Sequence, residues 1–130
     1  LKRQRDHIKK SVHIKKHGKD LVEAEDRWNE FAESTEYMLA VYERGKKLIV
    51  DVLRVNGALI DGRGKLVLET EAPKLRKDRY LGEYLEWDSY QKVPIAKLRY
   101  YEPLHREFHD ESLDVYKRTV KKGLKIAKKL

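Results

Sequence analysis

The chain has 130 residues, 40% hydrophobic and 40% charged, with no Cys and a formal net charge of +8. That length holds one compact domain, or a small domain with an arm, and it excludes a TIM barrel or a two-domain dinucleotide enzyme. No apolar run approaches the ~20 residues of a membrane span, and the lack of Cys removes disulfide frameworks, thiolate nucleophiles and zinc ribbons.

The charge is unevenly placed. Residues 1–17 carry Lys2, Arg3, Arg5, Lys9, Lys10, Lys15 and Lys16 against Asp6 alone, a net of +6. Residues 117–130 carry Lys117, Arg118, Lys121, Lys122, Lys125, Lys128 and Lys129 with no acid, a net of +7. The whole-chain +8 therefore leaves −5 for residues 18–116. Two cationic ends on an acidic body call for an anionic partner. Only two Asn, two Gln and one Met accompany 30 Lys/Arg and 22 Asp/Glu, a pattern expected of a heat-adapted protein.

Segment 1–17 has good helix formers, but its apolar residues Ile8, Val12 and Ile14 form no single stripe. It reads as an exposed basic arm, and Gly18 ends it. Segment 20–43 reads as the clearest helix, because Leu21, Ala24, Trp28, Phe31, Ala32, Thr35, Met38, Leu39 and Tyr42 share one arc of about 120°. Asp20 is its expected N-cap, with Glu23 at capping-box spacing.

In segment 46–60, Lys47, Asp51, Arg54 and Ala58 repeat at helical spacing, which predicts a buried helix. Asn56-Gly57 allows a hairpin instead, within 55–70, and Asp61–Gly64 is a turn. Pro73, Pro94 and Pro103 each precede a charged, apolar-periodic run, the usual place of Pro in a first helical turn. Residues 103–130 form one helix or restart at Asp110. Its closing part is half apolar (Leu113, Tyr116, Val120, Leu124, Ala127) and half cationic.

The expected fold is all-α: an extended N-terminal basic helix over 1–18, then a four-helix-type bundle domain over 19–130 built from 20–60, 73–88, 94–108 and 110–130. No catalytic signature is present, and no metal or cofactor is expected. His105 and His109 share a helical spacing, but the order His-Arg-Glu-Phe-His is not that of a zincin. A metal-dependent hydrolase on that pair is the lesser alternative. Asp61-Gly-Arg-Gly64 lacks the Lys-Ser/Thr of a phosphate loop. Tyr80, Tyr84, Tyr90, Tyr100 and Tyr101 suit packing at helix or subunit contacts better than base stacking.

The basic arm Lys2–His17, the Cys-free body from Asp20 and the lysine-rich close Lys117–Leu130 together resemble the major coat proteins of filamentous archaeal viruses, of the lipothrixvirus type. That resemblance implies a helical bundle whose arm wraps double-stranded DNA, pairing with a paralogous coat subunit, helical assembly and a place in the virion. It also leaves the C-terminal helix for contact with a membrane envelope. The expected phosphate contacts are Lys2, Arg3, Arg5, Lys9, Lys10, Lys15 and Lys16 on the arm. Lys117, Arg118, Lys121, Lys122 and Lys125 form the second set. The alternative is a cellular DNA-binding regulator or chromatin protein, cytoplasmic or nucleoid-associated, which would read sequence with a helix in the major groove. Phosphate contacts do not by themselves separate DNA from RNA.

Overall fold

The computed structural model describes residues 2–104 and 112–130, with side chains from residue 9 onward. In chain order these form α1 (Lys2–His17), α2 (Lys19–Ser34), β1 (Tyr37–Arg44), β2 (Lys47–Ile60), β3 (Leu66–Asp78) and β4 (Gly82–Pro94). A single 3-10 turn (Ile95–Lys97), β5 (Leu98–Pro103) and α3 (Leu113–Ala127) complete it. The strands make one antiparallel sheet in the order β4-β3-β2-β1-β5. The expected all-α bundle is therefore wrong. Its helical ends stand, but its middle is a sheet.

The helix expected over 20–43 stops at Ser34, and its second half is β1. The break is made by Glu36, whose φ of 70 lies in the left-handed region that non-glycine residues rarely adopt. Tertiary contacts hold it there: its carbonyl accepts the Val55 N–H at 2.6 Å, and its carboxylate takes the Arg54 guanidinium at 2.7 Å. Segment 46–60 is β2 rather than a buried helix. The run 73–88 and the described part of 94–108, up to residue 104, are equally not α-helices, since Lys74–Asp78 pairs with Gly82–Glu86 and β5 pairs with β1; residues 105–108 lie outside the described residues. A hairpin does occupy the 55–70 region, turning at Asp61–Gly64, while Asn56 marks a register shift within β2. Asp61 closes that turn by accepting the N–H groups of Arg63 and Lys65, each at 2.9 Å.

Both faces of the sheet are covered, which is why β1 is buried at six successive positions, Tyr37 to Tyr42. On one face Met38, Ala40, Leu53, Val55, Leu68 and Val93 pack with Trp28, Phe31 and Ala32 of α2. On the other, Tyr37 and Val52 pack with Trp87, Leu104 and the α3 residues Val115, Tyr116 and Val120. Each fully buried Leu or Met contributes about 1.5–3 kcal/mol, so these two layers carry the fold.

The sheet is also strongly curled. In a flat sheet β1 and β4 would stand three spacings apart, about 14 Å. Yet the Tyr42 hydroxyl on β1 donates to Gln91 Oε1 on β4 at 2.6 Å, and Arg44 Nη2 donates to the same oxygen at 2.9 Å. The two outer strands β4 and β5 are joined through Ile95–Lys97 alone. The result is an open sheet curled toward the face on which α2 packs.

Helix α2 also grips the part of β2 that β1 does not reach. Ala58 donates its N–H to Asn29 Oδ1 at 2.8 Å and accepts Asn29 Nδ2 at 3.2 Å, while the Ile60 N–H reaches Glu25 Oε2 at 3.1 Å. The spacings match: four residues rise about 6 Å on a helix and two residues about 6.6 Å on a strand.

Candidate nucleic-acid interface

Helix α1 is continuous over its described backbone and turns into α2 at Gly18, whose φ of 90 allows the sharp change of direction. Among the described side chains, two contacts tie it to α2. Lys10 Nζ lies 3.1 Å from Asp26 Oδ2, and His13 Nε2 lies 2.9 Å from Glu25 Oε1. Its described apolar residues do little anchoring: Val12 is 62% exposed and Ile14 only half-buried. Lys9, Lys15 and Lys16 are exposed, with no acidic partner among the described residues. Lys2, Arg3 and Arg5 sit on the same helix, and their side chains lie outside the described set.

Helix α3 is anchored quite differently. Gly123 is buried against the sheet, and a Cβ there would come within 2.5 Å of Val50 Cγ1 and 2.8 Å of Leu39 Cδ1. The helix backbone therefore rests directly on β1 and β2. Near its start, the Tyr116 hydroxyl donates to Asp51 Oδ1 at 3.1 Å. Asp51 can receive it because β3 leaves β2 at Arg54, so residues 47–53 pair only with β1. The same oxygen accepts the Val52 N–H at 2.8 Å. Burial pushes the Asp51 carboxyl up to about 6, against the lowering pull of these two hydrogen bonds. Burial and the neighbouring Asp51 charge push the Tyr116 hydroxyl up as well.

With the apolar side of α3 on the sheet, its cations divide by direction. Lys117 lies 3.5 Å from Glu83 and Lys122 lies 2.8 Å from Glu102, so both are drawn onto the body. Arg118, Lys121 and Lys125, at i, i+3 and i+7, form an exposed outward stripe with no acidic partner among the described residues. Of the apolar face expected here, Val115, Tyr116 and Val120 pack on the sheet, while Leu124 is half-exposed. No helix of the described residues is long and apolar enough to cross a membrane.

The structure thus assigns the twelve expected cations three fates. Lys9, Lys15, Lys16, Arg118, Lys121 and Lys125 face solvent. Lys10, Lys117 and Lys122 meet the protein's own carboxylates. Lys2, Arg3 and Arg5 are placed by backbone only. His105 and His109, the pair behind the hydrolase alternative, lie outside the described residues. Sequence reasoning missed a third cationic group, Lys74, Lys77 and Arg79 on the β3–β4 hairpin, because four acids in the same run cancel its charge. No family model, no curated protein and no solved structure matches the chain.

Proposed function

We propose that the chain binds duplex DNA without reading its sequence, neutralising phosphates with α1 and the outer stripe of α3. The observation behind this reading is the sorting of the cations. Lys10, Lys117 and Lys122 meet the protein's own carboxylates, while six exposed cations on the same two helices have no described acid to meet. Phosphate contacts hold a protein on a duplex without specifying a base, and neither helix offers a second feature that would. The role is binding and packaging rather than catalysis. The helical bundle implied by the coat-protein resemblance is replaced by a sheet, so the DNA-binding reading rests on the cations alone.

On this reading nine cations meet phosphates: Lys2, Arg3, Arg5, Lys9, Lys15, Lys16, Arg118, Lys121 and Lys125. Each contributes about −0.9 to the slope of log K against log salt, so the full chain should give about −8. Filter binding across a salt series, on two unrelated duplexes, tests this directly. The triple variant Lys9→Gln, Lys15→Gln, Lys16→Gln should shift the slope by about 3. A slope near zero, or strong preference for one duplex, would overturn the reading.

A further inference from the structure

Of the three most exposed large apolar side chains among the described residues, Tyr80 at 88%, Tyr90 at 79% and Leu81 at 77%, two are chain neighbours, Tyr80 and Leu81. They occupy the tip of the β3–β4 hairpin. Beyond the register shift at Pro73, residues 74–78 and 82–86 pair only with each other, so this part is a two-stranded ribbon standing clear of β2. A tip in water normally carries polar turn residues, and an exposed Tyr-Leu pair there is costly unless something receives it.

The tip is held stiffly. Asp78 accepts the N–H of Tyr80 at 2.7 Å and that of Leu81 at 3.0 Å, and Gly82 closes the three-residue loop with a φ of 74. Those two N–H bonds hold the Asp78 carboxyl below its usual range, so it stays ionised and keeps its grip. The wedge residues are thereby presented in advance rather than ordered on contact.

The charge around them has one sign left over. The acids of the ribbon are engaged: Asp78 by its own turn, Glu83 by Lys117, and Glu86 and Asp88 by Arg76. Lys74, Lys77 and Arg79 are exposed and meet no acid among the described residues. The Arg79 guanidinium lies 5.9 Å from the centre of the Tyr80 ring, so cation and aromatic share the tip. A cationic rim around an apolar point fits a polyanion with an apolar interior, which is what a stacked duplex is.

Position agrees with charge. The Lys117–Glu83 pair sets the ribbon beside the start of α3, where the outward stripe begins at Arg118. Tyr80 and Leu81 lie two to three residues beyond Glu83, a reach of about 7–10 Å along a strand. The grooves of a duplex are about 8 Å deep and receive a two-stranded ribbon.

We infer that the Tyr80–Leu81 tip is a wedge that enters the groove of a duplex lying along α3 and unstacks one base step. The inference rests on the DNA-binding reading above and adds a bending action to it. Apolar side chains inserted between base steps kink DNA in this manner, and alternating T-A steps yield most easily.

The test uses the full chain and an alternating T-A duplex in which some adenines are replaced by fluorescent 2-aminopurine, whose emission rises on unstacking. Saturating protein should raise the emission several-fold. Tyr80→Ser with Leu81→Ser should return it to the free-duplex level while leaving the melting temperature and the salt slope unchanged. Saturable binding with no rise, or a rise that survives the double substitution, overturns the wedge alone. Absence of saturable binding overturns the DNA reading with it. A change in oligomeric mass in the double variant, with the rise retained, assigns the tip to contact between copies of the chain and likewise overturns the wedge.

Discussion

α1 and α3 carry similar charge, yet the fold treats them as different objects. α1 touches the body through Lys10 and His13 and leaves Val12 in water. α3 lays its backbone on Leu39 and Val50 at Gly123 and is pinned at its start by Tyr116 on Asp51. Cationic charge alone therefore does not say whether a helix belongs to the interior. The apolar spacing does, and here it separates an appendage from a structural layer.

The contrast is broken most severely by removing one side of it. Deleting residues 1–17 should lower duplex affinity about a thousandfold at low salt and cut the slope from about −8 to about −3. Thermal unfolding of the shortened chain should be nearly unchanged, because exposed ion pairs such as Lys10–Asp26 contribute at most about 1 kcal/mol. Collapse of the melting transition would show that α1 belongs to the core after all.

The next test strikes the pin of α3. Asp51 is raised in the folded state to about 6 from its ordinary 3.8, so its uncharged form is the one the fold favours. Its contribution to stability is accordingly full below about pH 4, fades as pH rises toward 6, and is gone above that. Asp51→Asn keeps an oxygen for Val52 and Tyr116 without the buried charge. Urea unfolding at pH 7.5 should show it more stable than the parent by up to about 3 kcal/mol, with a flatter profile between pH 4 and 6.

A smaller effect sharpens the same point from the other end of the helix. Gly123→Ala forces a methyl against Val50 and Leu39 and should cost about 1–2 kcal/mol, despite the better helix propensity of Ala. The loss should appear in hydrogen exchange of α3 while α1 exchanges as before. An unchanged or raised stability would mean the sheet yields freely at that contact.

Much of this contrast was readable from the chain, and the sheet was not. The charge blocks, the helical character of both ends, the turn at Asp61–Gly64 and the split surface of the last helix all follow from composition and spacing. The sheet hid for three physical reasons. Strands covered on both faces lose their alternation, so Tyr37–Tyr42 reads as a continuous apolar run that fits a helix as well. The stop between α2 and β1 falls on Glu36, a residue with no turn signature, held by Arg54 and Val55 from a distant strand. The prolines are tolerated at places no local rule marks: Pro73 where the β3–β4 register shifts, Pro94 and Pro103 as the last residues of their strands. Of the site, the lone cations were visible, but which of them the body would neutralise depended on carboxylates far off in the chain.

The grip of Glu25 and Asn29 on β2 has a consequence of its own. Two side chains one helical turn apart accept amides that recur every second residue, so the helix meters the strand as a gauge meters a rack. Slippage of β2 by one position would bring other amides to those acceptors only by turning every side chain of the strand to the opposite face. An amphipathic helix ahead of a hairpin can thus select the alignment of strands that contain few alternating cues of their own.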